Sequence, residues 1–151
     1  FTAASKLAKA GADPQEVINI LDSERPLIQK TTFLKAAQRM KWIQEGKWII
    51  AQSIVGSFES GSARLLIVLG ADIALVSSGN KKGEMRLSTR ASNRIVSQGF
   101  NLTTILEKIA DMNGGSAGGH PGAAGYNGKG DPEAISNIAK QNCIDSIRQL
   151  P

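Results

Sequence analysis

Apolar residues recur along this chain with two different spacings, and the places where one spacing gives way to the other set out its elements. Residues 1–10 are alanine-rich with interspersed lysines, a composition that favours helix. Gly11-Ala12-Asp13-Pro14 ends that helix and starts the next. Asp13 can cap, Pro14 suits the first helical position and Glu16 favours the positive end. Val17, Ile18 and Leu21 then share a face. Pro26 marks a further start, and the spacing predicts a longer helix from Leu27 to Gln44, with Ile28, Phe33, Leu34, Ala37, Met40 and Ile43 on its apolar side. Gly46 ends the helical region.

Strand-like spacing follows. Residues 48–55 form a nearly continuous apolar and β-branched run that reads as a buried strand. Gly56 to Gly61 reads as a loop. Residues 62–69 fit a short helix with Leu65, Leu66 and Leu69 inward, or a strand; periodicity alone does not choose between them. Residues 72–77 and 84–90 read as an antiparallel hairpin around the polar turn 78–83. Asn101 caps a helix in which Leu102, Ile105, Leu106 and Ile109 keep one face, ending near Met112-Asn113. Residues 123–127 read as a last strand. Asp131-Pro132-Glu133 opens a final helix with Ile135, Ile138, Ala139, Cys143, Ile147 and Leu150 inward. This order predicts an α+β fold: a mixed β-sheet with flanking helices, preceded by a helical N-terminal segment. Residues 1–45 are expected to form that segment and 46–151 the sheet domain.

Two stretches carry candidate chemistry. On the strand 84–90 the period of two puts Arg86, Ser88 and Arg90 on one face and Met85, Leu87 and Thr89 on the other. Two guanidinium groups flanking a hydroxyl suit phosphate oxygens, which arginine binds through paired hydrogen bonds; a solvated face of a basic protein is the alternative. Arg94, Lys81 and Lys82 extend the basic region as solvated charges. The second stretch runs from Gly114 to Gly125 and holds the chain's one histidine, His120. A run so poor in bulky side chains gains little from burial and costs backbone entropy to order. It lacks the composition of a spacer, and it fits close approach to a small anion, with backbone N–H groups and His120 as donors. It matches neither the P-loop nor the dinucleotide fingerprint. Tyr126 beside it either packs in the strand's apolar face or stacks on a base.

Composition narrows the setting. The 151 residues suffice for one domain, or one domain with a short preface. The net charge of +5 is compatible with an anionic ligand without requiring one. One cysteine excludes an intramolecular disulfide and fits a reducing cytoplasm; Cys143 reads as a small core residue. No apolar run reaches membrane-spanning length, so no membrane partner is expected. The chain opens at Phe1 without a signal-peptide pattern and inside an apparent helix, which suggests a piece of a longer protein.

The string Gly114-Gly115-Ser116-Ala117-Gly118-Gly119-His120-Pro121-Gly122-Ala123-Ala124-Gly125 resembles the GG-x-GGGH-x-x-AAG signature of the C-terminal substrate-binding domain of DHH-family phosphoesterases. These include RecJ-like nucleases, oligoribonuclease/pAp phosphatases and cyclic-dinucleotide phosphodiesterases. Ala117 stands where many members have another glycine. Leu87-Ser88-Thr89-Arg90 resembles the family's S-x-R segment, and residues 1–27 look more loosely like the tail of the catalytic DHH domain and its connector. The resemblance implies that Arg90, then Ser88 and Arg86, meet substrate phosphate. It implies that Gly118, Gly119 and His120 contact phosphate or ribose, and that Ala123, Ala124 and Gly125 leave room for the nucleotide. The partners it implies are single-stranded nucleic acid or a small nucleotide, and a missing DHH domain of the same polypeptide.

DHH enzymes hydrolyse phosphate bonds with paired metal ions, usually Mn²⁺ (or Mg²⁺), which need several Asp and His ligands. This chain has one histidine and no D-H-H motif. No cofactor is therefore expected on it; the metals are expected on the DHH domain, and the chain alone is not expected to hydrolyse substrate. No nucleophile elbow or triad is apparent. Two other roles fit related glycine strings: a non-catalytic RecJ-like assembly module of the replication machinery, and the C-terminal domain of alanyl-tRNA synthetases. The GGH-x-x-AAG form matches the phosphoesterases better.

Overall fold

A computed structural model describes residues 2–21 and 25–151. The chain divides into two compact units, 1–30 and 31–151. In the first, α1 (Thr2–Lys9) stops at Gly11, whose φ of +87° lets the amide of Ala12 reach the carbonyl of Leu7 at 3.0 Å and that of Gly11 reach Ala8 at 3.1 Å. α2 (Pro14–Leu21) is capped by Asp13, which accepts from the Gln15 amide at 2.8 Å. Phe1 and the predicted inward side chain of Leu21 lie outside the described residues.

The helix predicted over 27–44 is shorter: α3 spans Leu27–Gln38, and residues 41–45 form strand β1 (Lys41–Glu45). The sequence WIQE-GK-WII is a hairpin. Glu45 pairs with Trp48 across Gly46-Lys47, and the φ of +59° at Gly46 makes that two-residue turn. Met40 and Ile43 also fit a helical spacing, which hides the strand. β2 (Trp48–Ile54) leads to α4 (Glu59–Val68), so the stretch from residue 62 is helix as far as Val68 and the helix begins inside the expected loop. Leu66 is buried on α4, whereas Leu69 is 56% exposed rather than inward. β3 (Ile73–Gly79) and β4 (Glu84–Ala91) form the expected hairpin. A short α5 (Asn93–Val96) and α6 (Leu102–Asn113) follow, the latter capped by Asn101. The glycine string is not a loop. It forms β5 (Ser116–His120), paired with β6 (Ala123–Lys129). α7 (Pro132–Ile147) closes the chain, capped by Asp131.

The six strands lie in the order β1-β2-β3-β4-β6-β5. The β2–β3 pair is parallel and bridged by α4; the other pairs are antiparallel. One sheet face carries the larger core, where Ile50, Leu75, Leu87 and Tyr126 meet Leu106 of α6 and Ala139 and Cys143 of α7. The other face carries a smaller core in which Ala63 and Leu66 of α4 cover Ala51, Ala74 and Val76. α4 thus lies over β3 and β4 on that face, with Ala36 of α3 packed on the β2 side, while β6 and β5 have no helix over them there among the described residues.

Asp72 ties the start of this sheet together. Its carboxylate is nearly buried and accepts from the Ile49 amide (3.1 Å), Ser92 Oγ (3.2 Å) and Arg94 (3.0 Å). The Arg94 guanidinium also lies 4.5 Å from the Trp48 ring centroid. Arg94 is therefore solvated, with 59% of its side chain exposed, and also paired with Asp72. Arg94→Ala should cost about 0.5–1 kcal/mol in urea denaturation, because the pair is largely exposed on the arginine side and Asp72 keeps the Ile49 amide and Ser92 Oγ.

Cys143 is fully buried, and desolvation pushes its thiol up to about 12. Its pKa is higher folded than unfolded, so this contribution to stability is complete below about pH 9 and fades as pH rises toward 12. Cys143→Ala should flatten the loss of stability across that alkaline window in melts recorded at successive pH values.

Candidate functional site

The register of the sheet aligns residues across its open half. Arg90 lies opposite Ala123, which lies opposite His120. Ser88 lies opposite Gly125 and Gly118 in the next row, and Arg86 opposite Asn127 and Ser116 in the third. Partners across an antiparallel ladder point to the same side, so these rows share one face. It is the face that α4 leaves open, since Met85, Leu87, Ala124 and Tyr126 point into the larger core.

The middle row has two glycines and a serine, a floor with almost no side chains. Charged and polar groups flank it. Arg90 donates to Ser60 Oγ at 3.2 Å, and its Nε is shielded from solvent with no partner among the described residues. The side chains of Arg86, Ser88, His120 and Asn127 make no hydrogen bond or ion pair with the described residues. Ser60 belongs to the first turn of α4. That turn has no side-chain cap, and Phe58 before it is held at φ 58°, an uncommon conformation for a bulky residue. The positive pole of α4 therefore faces the arginines, with its first amides available. Ser60, Ser88, Arg90, Ala123 and Gly125 enclose a hollow of about 170 Å³. A neighbouring hollow of about 80 Å³ shares Ser60, Ser88 and Gly125 with it and adds Glu59, Arg86 and Asn127.

The residues singled out in the sequence divide in two. Arg90, Ser88, Arg86, His120, Gly118, Gly125 and Ala123 come together on the open face. Gly119 and Ala124 point toward the core: Ala124 is buried in it, and a Cβ at Gly119 would collide with Ala123 O. Tyr126 is also fully buried and donates to Gly114 O at 2.9 Å, so it packs rather than offering a surface for a base. Ser60, Glu59 and Asn127 were missed. For Asn127 the signal was the period of two continuing through Ala123 and Gly125. For Ser60 no local signal exists, because α4 starts at a left-handed phenylalanine.

The glycines separate by cause. Gly115 and Gly119 have φ of +99° and +145°, and a side chain at either would overlap β6 backbone. Gly118 and Gly125 have neither constraint: nothing lies within 4 Å of a Cβ at Gly118, and one at Gly125 would make an ordinary 3.7 Å contact with Leu87 O. Neither backbone conformation nor packing requires glycine at these two positions.

A cleft of about 440 Å³ between β1–β2 and α7 is an alternative on the other side of the sheet, but its charges are engaged. Lys41 pairs with Glu133 at 3.0 Å and Gln52 donates to Ser136. Among the described residues no three His, Cys, Asp or Glu side chains are grouped to hold a metal ion, so the residues present do not fit the metals of DHH chemistry. No described helix is long and apolar enough to cross a membrane.

Residues 50–145 match the family model described as the DHHA1 domain. The chain belongs to the DHHA1 domain family. An uncharacterized protein of Methanocaldococcus jannaschii is 37% identical over 137 residues, which is 90% of this chain and 40% of the relative. The chain thus spans two fifths of that relative's length. The DHHA1 fold recurs in an exopolyphosphatase-related protein from Bacteroides fragilis (TM-score 0.69, 14% identity, 94% of this chain and 42% of that one). It recurs in RecJ from Thermus thermophilus, solved in complex with Mg²⁺ (0.51, 17%, 82% and 18%). It also forms the C-Ala domain of Aquifex aeolicus alanyl-tRNA synthetase (0.52, 17%, 67% and 96%). At these identities the likeness establishes the DHHA1 fold alone.

The two kinds of glycine give opposite expectations. Gly119→Ala should lower stability by about 1–3 kcal/mol, since it forces alanine into a strained conformation against β6. Gly118→Ala should leave the melting temperature unchanged or slightly raised.

Proposed function

We propose that the open face of this DHHA1 domain binds the phosphate and sugar of a nucleotide or single-stranded nucleic acid. In this reading it holds the substrate against a metal site on a DHH domain outside these 151 residues, in a phosphoesterase or exonuclease. The observation that carries the reading is the bare middle row. Gly118 and Gly125 gain nothing for the fold by lacking side chains, yet they lie between cationic rows where a ligand could rest on the backbone. Arg90 would pair with a phosphate oxygen through its free Nε, with Ser88 Oγ and the first amides of α4 completing the anion's shell. His120, exposed at the edge strand, would reach phosphate or ribose from the far side. The chain's own residues bind and orient; Mn²⁺ or Mg²⁺ on the DHH domain would supply the activated water.

Family membership supports this reading, and so do the motif residues gathered on one face. The C-Ala neighbour shows that the same fold also serves a tRNA synthetase, so function rests on the site rather than the fold.

Arg90→Ala should weaken binding of pAp or a 5′-phosphorylated oligonucleotide by about 1.5–3 kcal/mol with no change in melting temperature. An unchanged affinity removes Arg90 from the site. His120→Ala should behave alike; a drop in stability without a drop in affinity makes His120 structural. Gly118→Val tests the floor: it should abolish binding while the fold persists. If the unaltered chain binds no nucleotide in calorimetry, the non-catalytic assembly role takes precedence.

A further inference from the structure

The third row, Arg86–Asn127–Ser116, is not needed to hold one phosphate at Arg90. Arg86 and Arg90 are four residues apart on β4, about 14 Å at ~3.4 Å per residue. Arg90 is turned to Ser60, whereas Arg86 and Asn127 line both the 80 Å³ hollow and a much larger recess of about 790 Å³ beyond it. Since they line both, the hollows run into one trough along β4 and β6.

The walls of the large recess define its ligand. Asn80 is spent on its turn, donating to Glu84 at 2.7 Å, and Asn113 donates to Ile109 O at 3.0 Å. Asn127 is the lining amide whose donor and acceptor are both free among the described residues, a pairing that suits the edge of a nucleobase. Arg86 and Lys129 add cations without a partner among the described residues. Glu59 and Glu84 add carboxylates, which oppose a run of bare phosphates.

We propose that Arg86, Asn127 and Lys129 form a second subsite that takes the base and phosphate of the next nucleotide along the strand. The face would then select a chain of two or more nucleotides over a mononucleotide or a polyphosphate. This rests on the nucleotide-binding reading of the Arg90 row and adds a direction and a minimum length to it. Arg86 is reassigned from support for the first phosphate to reading the second unit.

The test uses the whole 151-residue chain. Calorimetric affinities are measured for a 5′-mononucleotide, a 5′-phosphorylated dinucleotide and tripolyphosphate. The dinucleotide should bind about tenfold tighter than either of the others, the effect of one added charged hydrogen bond. Asn127→Ala and Arg86→Ala should each remove most of that advantage and leave mononucleotide affinity unchanged, with unaltered melting temperature. Arg90→Ala should weaken both nucleotides. Equal affinity for mono- and dinucleotide overturns the second subsite while the Arg90 reading stands, as does equal loss of both ligands in the Asn127 variant. Tripolyphosphate binding as tightly as the dinucleotide overturns it too. A chain that binds no nucleotide overturns both readings.

Discussion

Everything on the open face depends on β4 being hydrogen-bonded along both edges, to β3 on one side and β6 on the other. A strand held on both sides cannot rotate, so its alternation becomes a fixed division of labour. Met85, Leu87 and Thr89 are locked into the core, and Arg86, Ser88 and Arg90 are locked outward. The cationic groups are thereby presented from the rigid centre of the sheet rather than from a loop. Placement of α4 completes the division. The helix covers Ala74 and Val76 of β3, reaches over β4 and stops short of β6, so one half of the face is core and the other is a shallow basin edged by the helix's first turn.

The glycine string shows how one residue type can answer two demands in a single strand. Gly115, just before β5, and Gly119 within it take positive φ where the strand lies close beside β6. Gly118, between them, adopts an ordinary conformation and faces outward. Tyr126 anchors the same ribbon from below, filling the core and bonding back to Gly114. A rigid underside and a bare upper side are therefore built from neighbouring positions of one hairpin.

Much of this is legible without coordinates, and the illegible parts have identifiable reasons. The alternation on 84–90 and the helical face of Leu102, Ile105, Leu106 and Ile109 emerge as the sequence predicts, because side chains of contrasting polarity mark the period. The string 114–120 gives no such mark: glycine shows no face, and its strand conformation comes from pairing with β6 rather than from its own preference. β1 is obscured by Met40 and Ile43, whose spacing suits a helix as well. Asn127 and Ser60 could not be joined to Arg86 and Arg90 from the sequence. Their proximity depends on strand register and on where α4 begins, and both are set by non-local contacts.

The pairing of Arg90 with Ala123 also fixes when the face can come into being. The β3–β4 and β5–β6 hairpins each close over a few residues and can form early, but neither contains the basin. The basin requires the chain to bring β6 back beside β4 after passing through α5 and α6, a long closure whose entropy must be met before its contacts reward it. The rows of the site should therefore appear only once that closure has been made. A partly folded chain would carry the two arginines and the histidine without any arrangement among them, so only the completed sheet could hold a ligand across β4, β6 and β5.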